Sequence, residues 1–230
     1  MIQTTFQRYE KKYLLTPAQY QWIFQQLQSR MQVDEYGMYP ICSIYFDTDD
    51  YRLIRASLEK PVYKEKLRLR SYGAPSRMED PVFLELKKKY KGVVYKRRVD
   101  MSLGECRDYF DYGLRPESDG QILHEIDWFQ QLWKTSPKVF LRYDRIALFS
   151  PEDPQLRVTF DHNLCWRDTQ LQLSCGDWGH PLLTGSQRDH ISRSLAQCRF
   201  GCAASSTTQK PFRLPFPNTD TATKTISSRK

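Results

Sequence analysis

The chain has 230 residues, 40% of them hydrophobic and 13% aromatic, with a formal net charge of +8. A chain of this length can bury one sizeable hydrophobic core. No stretch approaches the roughly 18 apolar residues of a membrane span, which argues against a membrane-spanning chain. Charges stand where a secretory leader needs an apolar run, so we expect a cytoplasmic protein. The six cysteines form no CxxC pair, which favours reduced thiols over a zinc site.

The positive charge is concentrated in one region. Residues 184–230 hold 8 Lys or Arg against 2 Asp, which leaves 27 against 25 for residues 1–183. Within that nearly neutral body, the segment Lys60–Arg98 carries 13 basic against 4 acidic residues. A local excess of this kind is typical of a polyanion-binding site.

The predicted elements alternate between amphipathic helices and strands of two-residue period. In chain order they are strand 5–14, a helix opened by a capping box at Thr16, strands 41–47, 62–72, 82–90 and 92–100, a helix opened by a capping box at Ser102, a helix over 121–133, and strands 138–149 and 155–163. The turn Tyr90-Lys91-Gly92 indicates a hairpin. Seven strands with few helices predict an α+β fold with a closed or nearly closed antiparallel β-barrel.

The composition changes after about Leu183. Residues 184–230 contain no Trp, Tyr or Glu, and 14 of the 47 are Ser or Thr. No strand or helix period persists there, so we predict a domain over 1–183 followed by a disordered tail over 184–230.

Basic residues in the middle strands share one face. Side chains alternate along a strand, so Lys64, Lys66, Arg68 and Arg70 lie opposite Leu67 and Leu69. For one such strand taken alone, an ordinary face exposed to water is the preferred interpretation. The neighbouring strands repeat the pattern, and cations that converge in a barrel repel one another unless an anion neutralises them. A bound polyphosphate is the natural counterion, since forked arginine and compact lysine together suit a chain of phosphates.

A resemblance to a known family makes this hypothesis specific. The ordered series RYEKKYLL, IYFDT, KLRLRSYG, FLELKKKYKGVVYKRRV, FLRYDRIAL, LRVTFDHNL and WRD resembles the VTC domain, the polyphosphate polymerase branch of the CYTH or triphosphate-tunnel superfamily, over residues 5–183. The resemblance implies an eight-stranded antiparallel tunnel that binds the triphosphate of ATP or another nucleotide. It also implies that Mg²⁺ or Mn²⁺ assists phosphate transfer to a growing polyphosphate chain.

The same resemblance assigns roles to individual residues. Catalytic or phosphate-binding roles fall on Lys12, Arg68, Arg70, Lys87, Lys96, Arg98, Arg145 and Arg157, with Tyr143 as a hydroxyl donor. A shift in the hairpin would substitute Arg97 or Arg98 for Lys96. Glu10 and Glu85 are the candidate metal ligands, and for Glu85 an ion pair with Lys12 or Arg68 is the preferred alternative.

The sequence departs from the family near its end. A last strand with an acidic-x-lysine motif and the helix after it are not recognisable, and a frameshift after Leu183 would explain the change. The chain would then lack the glutamate expected to hold the metal, and we expect little polymerase activity, an open sheet edge and low solubility.

Four functions follow from these observations. The first is a polyphosphate polymerase-like phosphotransferase, and the second is a triphosphatase of the same superfamily. The third is a non-catalytic polyphosphate-binding module. Nucleic-acid binding, with stacking on Tyr63, Tyr72, Tyr90 and Tyr95, ranks last because a tunnel excludes duplexes, so we expect no nucleic-acid partner.

Overall fold

The computed structural model describes residues 8–59, 61–91, 93–117, 120–153, 156–182 and 194–201, with the backbone alone for 8–12 and 194–201. In chain order the elements are β1 Arg8–Leu15, α1 Pro17–Gln28, β2 Gln32–Asp47, α2 Arg52–Leu58, β3 Tyr63–Tyr72, β4 Pro81–Tyr90, β5 Val93–Ser102, α3 Leu103–Tyr112, α4 Gln121–Trp133, β6 Ser136–Phe149, β7 Arg157–Arg167, a 3₁₀ turn at Leu173–Cys175, β8 His180–Pro181 and β9 Ser194–Gly201.

The strands form one antiparallel sheet in the order β1-β9-β7-β6-β2-β3-β4-β5, with the short β8 paired to β7. The predicted α+β class and antiparallel sheet are confirmed. The predicted closure is not seen, because no pairing joins the edge strands β1 and β5 in the described part of the chain.

All four helices lie over the same face of the sheet, which we call the helix face. Helices α3 and α4 cover apolar side chains of β2 to β6, with Leu67, Leu84 and Ile126 fully buried between the layers. Helix α1 packs through Ile23 and Leu27 on β6 and β7. Burial of these side chains is the main stabilising contribution, and it leaves the opposite face to polar residues. We call this opposite face the basic face.

Local sequence signals fix the helix ends and the central hairpin. Both capping boxes form, with Thr16 and Gln19 bonded reciprocally at α1 and Ser102 and Glu105 at α3. Helix α3 ends at Gly113, whose φ of 69° a side chain would disfavour. Strands β4 and β5 pair from Tyr90 and Val93 outward, as predicted for a two-residue hairpin turn.

In the first sixty residues, two elements extend or add to the predicted set. Strand β2 begins at residue 32 instead of 41, because an irregularity between Val33 and Met38 hides its two-residue period. Helix α2 is too short to show a periodic stripe. It is capped by Asp47, whose carboxylate oxygens accept the backbone N–H groups of Leu53 and Ile54, each at 2.9 Å.

Strand β9 lies inside the segment for which we predicted no regular structure. It pairs with β1 on one side and β7 on the other, so the open edge expected beside β7 is filled over Ser194–Gly201. The rest of 184–230 falls outside the described residues, and its disorder stays a prediction. Strand β9 contains neither Asp nor Glu, so it does not supply the acidic residue expected from the family's last strand.

No helix in the described part of the chain is long and apolar enough to cross a membrane.

Candidate phosphate-binding site

The basic face brings side chains of four adjacent strands into cross-strand rows. The register aligns Tyr45 of β2 with Arg68 of β3, Arg68 with Glu85 of β4, and Glu85 with Arg98 of β5. A second row aligns Lys66, Lys87 and Lys96. Directly opposed side chains in a sheet lie within contact range. Alternation along each strand therefore collects the cations of three strands on one surface.

Glu85 is the centre of this surface, and its side chain is 1% exposed. One carboxylate oxygen accepts Nε and Nη2 of Arg68, both at 2.6 Å, and lies 3.9 Å from Nε of Arg70. The other accepts Nζ of Lys96 at 2.6 Å and Nη2 of Arg98 at 2.8 Å. We call Glu85 with these four basic residues the cationic cluster. The predicted ion pair between Glu85 and Arg68 is therefore present.

The cationic cluster carries four positive charges around one negative charge. Burial alone would raise the pKa of Glu85, but Arg68, Arg70 and Lys96 outweigh it and hold that pKa well below its usual value. Loss of water lowers the pKa of Lys96 to about 8 against the pull of Glu85. The Lys96 side chain is 43% exposed. The remaining excess of three charges is what a multiply charged anion would neutralise.

Two buried polar groups beside the cluster lack hydrogen-bond partners among the described residues. They are Nε of Arg70 and Oγ of Ser43, and the register aligns these two residues directly. Nη2 of Arg70 donates to the hydroxyl of Tyr143 at 3.3 Å. Buried polar groups are usually satisfied, so unpaired donors that face the same surface are positioned for an acceptor such as a phosphate oxygen.

Arg145 and Arg157 stand apart from the cationic cluster. Arg145 forms a two-pronged ion pair with Asp161, at 2.6 and 2.7 Å, and lies 5.0 Å from the ring centre of Tyr143. Because this pair is nearly neutral, Arg145 adds less net charge than the sequence suggests. Arg157 is exposed at the start of β7. Its predicted role in phosphate binding stays a prediction.

Glu10 and Lys12 can be placed only by backbone register. Lys12 pairs with Gln197 of β9, which pairs in turn with Thr159 of β7, and Glu10 lies two residues earlier opposite Arg199. Their side chains lie outside the described part of the structure. Both assignments stay predictions.

Two contributors to the site were not predicted. The hydroxyl of Tyr45 accepts Nη1 of Arg68 at 3.1 Å, and Ser43 presents its unpaired hydroxyl beside Arg70. Strand β2 has the same alternation as its neighbours, and that alternation could have indicated both residues. The sequence does not show which residues of β2 and β3 are paired, and this register places Tyr45 beside Arg68 and Ser43 beside Arg70.

The tyrosines considered for nucleic-acid stacking do not share a face. Tyr72 lies on the basic face, in register with Ile41, whereas Tyr63, Tyr90 and Tyr95 alternate onto the helix face. The Tyr63 hydroxyl is hydrogen-bonded to Glu65. These four rings do not form one stacking surface.

The described residues do not fit a resident divalent metal. Both oxygens of Glu85 accept hydrogen bonds from cations, and both oxygens of Asp161 accept from Arg145. Across the described ranges, no group of three His, Cys, Asp or Glu residues is arranged to hold a metal ion. Magnesium prefers free carboxylates and phosphate oxygens, and the carboxylates of Glu85 and Asp161 are already paired.

The antiparallel sheet, the helices on one face and the cations on the other define a CYTH-like fold of the triphosphate-tunnel class. A protein from Bacillus halodurans, provisionally named an adenylate cyclase, has this fold with a TM-score of 0.53 and 15% identity, over 86% of this chain and 82% of that one. A protein from Hippeastrum, provisionally named an adenylyl cyclase and described as having a dominant triphosphatase activity, is similar with a TM-score of 0.48 and 15% identity, over 84% and 78%.

The sequence identifies the branch within this class. The model of the VTC domain family matches residues 7–204, and the chain belongs to that family. The match extends past residue 183 and includes β9. No curated protein matches the sequence. The predicted resemblance is confirmed, and the chain is a member of a triphosphate-binding superfamily.

Proposed function

We propose that this protein is a polyphosphate polymerase-like phosphotransferase that binds a nucleoside triphosphate and polyphosphate on its basic face. The observation that carries the proposal is the cationic cluster, where four basic side chains surround the single carboxylate of Glu85. Phosphoryl transfer asks mainly for positioning and charge stabilisation from a protein. An excess of fixed positive charge supplies both.

Individual groups have distinct tasks in this proposal. The arginines offer forked donors to two oxygens of one phosphate, whereas Lys96 provides a compact charge at the exposed edge. The unpaired Nε of Arg70 and the hydroxyl of Ser43 complete the set of donors. Because Glu85 holds the arginines in place before the anion arrives, little reorganisation accompanies binding.

The divalent ion enters this proposal with the substrate. Mg²⁺ or Mn²⁺ in solution already coordinates the phosphate oxygens of ATP, and magnesium keeps several waters when it binds proteins. No resident carboxylate site is therefore required for binding of the metal–nucleotide complex.

A non-catalytic polyphosphate-binding module is the second candidate. The pairing of Glu85 and Asp161 with cations favours it, since neither carboxylate is available to a metal, and β9 carries no acidic residue. A triphosphatase is the related enzymatic alternative, and it would release orthophosphate without making polymer. In each case the proposed anion-binding domain includes β9 as well as the predicted domain 1–183, because β9 pairs with β1 and β7 in the same sheet.

Calorimetry with tripolyphosphate at low salt tests the shared basis of these functions. We expect the parent to bind and the double variant Arg68→Ala, Arg70→Ala to lose most of its affinity. The matched control is Arg77→Ala with Arg107→Ala, which removes the same charge from exposed positions outside the basic face. Equal binding by both double variants would contradict the assignment.

An assay with ATP and Mn²⁺ then separates the functions. Polyphosphate synthesis by the parent supports the polymerase and contradicts our expectation of low activity. Orthophosphate release without polymer supports the triphosphatase. Binding of tripolyphosphate without turnover of ATP supports the non-catalytic module.

A further inference from the structure

Four aromatic side chains form a continuous group at one end of the basic face. The ring centres of Tyr36 and Tyr39 are 5.9 Å apart, those of Tyr39 and Tyr72 are 6.0 Å apart, and those of Tyr72 and Phe83 are 5.5 Å apart. We call this group the aromatic platform. It joins β2, β3 and β4 across the end of the sheet.

Two rings of the aromatic platform are largely exposed to solvent. Tyr36 is 70% exposed and Tyr72 is 51% exposed. None of the four rings belongs to either hydrophobic core cluster in the described residues. Neighbouring aromatic rings left open to water, with polar groups around them, are typical of a surface that binds a ligand.

Arg98 connects the platform to the cationic cluster. Its guanidinium donates to Glu85 at 2.8 Å and to the Tyr72 hydroxyl at 3.3 Å, and it lies 4.2 Å from the ring centre of Phe83. A ligand held by the cluster through its phosphates can therefore reach the rings without leaving the surface.

A carboxylate with an unused acceptor lies beside the rings. Oδ1 of Asp34 is buried and accepts no hydrogen bond from the described residues. Asp34 acts electrostatically on both Tyr36 and Tyr39, so it is close to this end of the platform. An acceptor in this position suits a donor group of a bound molecule, such as an exocyclic amine or a ribose hydroxyl.

We propose that the aromatic platform stacks the base of a nucleoside triphosphate whose phosphates lie in the cationic cluster. This inference rests on the proposed function and names one of its substrates. Every base has a π face, so stacking on an aromatic side chain stabilises any of the bases. A purine covers more of the platform than a pyrimidine does, so ATP and GTP bind more tightly than UTP.

Inorganic polyphosphate does not account for the platform, because it has no ring to stack and no donor for Asp34. A single-stranded nucleic acid needs successive stacking positions along a basic track. The four rings instead form one group, which adjoins the cationic cluster at Arg98. One base attached to one triphosphate matches this arrangement.

Calorimetry with three ligands tests the inference: ATP, tripolyphosphate and adenosine. We expect Tyr36→Ala to weaken ATP binding roughly tenfold, within the range that loss of stacking on one base gives, with tripolyphosphate affinity changed less than twofold. Tyr36→Phe keeps the ring and retains most of the affinity. Tyr112→Ala, which removes an equally exposed tyrosine from α3, is the matched control and changes neither.

The outcomes separate this inference from the proposed function. If the parent binds tripolyphosphate and Tyr36→Ala leaves ATP affinity unchanged, the platform does not hold the base and only this inference fails. Equal loss of ATP and tripolyphosphate assigns the ring to the phosphate site and also overturns it. If tripolyphosphate does not bind the parent, the proposed function fails, while adenosine binding that depends on Tyr36 still supports the platform.

Discussion

Glu85 positions the basic side chains of the cationic cluster, although its own negative charge repels an anion. It is buried, and a buried carboxylate is costly unless its charge is matched. Arg68, Lys96 and Arg98 contact it at 2.6 to 2.8 Å, which makes the ionised form strongly favoured. The same carboxylate repels an incoming phosphate. In the proposed function, its contribution to binding is therefore to fix the positions of the cations.

Replacing Glu85 by Gln should destabilise the fold by about 3–5 kcal/mol, because four cations on one surface lose the counterion that they share. Urea denaturation measures this loss. Glu79→Gln is the control, since Glu79 is 74% exposed and its pair with Arg77 contributes little. Equal stability of the two variants would show that the cluster does not depend on Glu85.

Affinity for tripolyphosphate should fall as the pH rises through about 8, because Lys96 loses its charge near that value. The charge is present below pH 8 and lost above it. Lys96→Arg keeps its charge and should remove this part of the pH dependence. A profile identical in Lys96→Arg and the parent would assign the dependence to another group.

Lys96 acts on stability with the opposite sign. Its pKa is about 8 in the folded protein and 10.5 ordinarily, so the unfolded chain binds more protons between these values. Stability attributable to Lys96 therefore rises with pH across that window. The difference between the parent and Lys96→Met, measured by denaturation at pH 7 and pH 10, should show this rise without a ligand.

The sequence predicted the residues of the cationic cluster because all of them lie on strands with clear alternation. It did not predict the aromatic platform. Tyr36 lies in the irregular part of β2, where the period is broken, and its neighbour Tyr72 belongs to another strand. Contacts between strands depend on register, which one sequence does not determine.

At the scale of elements, Arg167 connects the end of β7 to the segment that follows it. Its guanidinium is fully buried and donates to the backbone carbonyls of Gln170, Gln172, Gly176 and Trp178. It also lies 3.6 Å from the ring centre of Phe140. One side chain thus supplies donors to four carbonyl groups of a segment whose regular structure is a single 3₁₀ turn.

Arg167→Met should destabilise the protein by about 3 kcal/mol, since several carbonyl groups lose their donor at once. Hydrogen exchange should rise most in residues 170–178. Tripolyphosphate affinity should change less than twofold, because Arg167 lies on the helix face. A large loss of affinity without faster exchange would show that Arg167 belongs to the binding site.

The predicted elements were most accurate where period and capping signals agreed. Helices α3 and α4 and strands β3 to β5 begin and end within two residues of their predicted bounds. Helix α2 was missed because its cap, Asp47, lies five residues before it. Strand β9 was missed because the Ser- and Thr-rich composition around it outweighed the short alternation of SLAQCRFG.

At the scale of the whole molecule, helices cover one face of the sheet and charge covers the other. The sequence predicted this division, because apolar and basic residues alternate in the middle strands. The net charge of +8 does not reveal this division, because most of it lies in residues 184–230 and the body is nearly neutral. Local charge, and not the total, should govern binding.

Affinity for tripolyphosphate should therefore fall as salt rises, by roughly tenfold between low and physiological ionic strength, because partly exposed cations are screened. The double variant Arg68→Ala, Arg70→Ala should show a weaker dependence, since fewer charges participate. Calorimetry over a salt series measures both. Affinity that does not vary with salt would indicate recognition without the cationic cluster.

The excess positive charge of the cationic cluster also affects the lifetime of the protein in a cell. Without an anion, the cations repel one another, and a ligand at a hundred times its Kd stabilises the folded state by about 2.7 kcal/mol. Proteases in a cell degrade the small unfolded fraction, so such a change alters abundance several-fold. Under the proposed function, the supply of phosphate polymers sets how much of this protein survives, and a fall in that supply shortens its lifetime before any change in its synthesis.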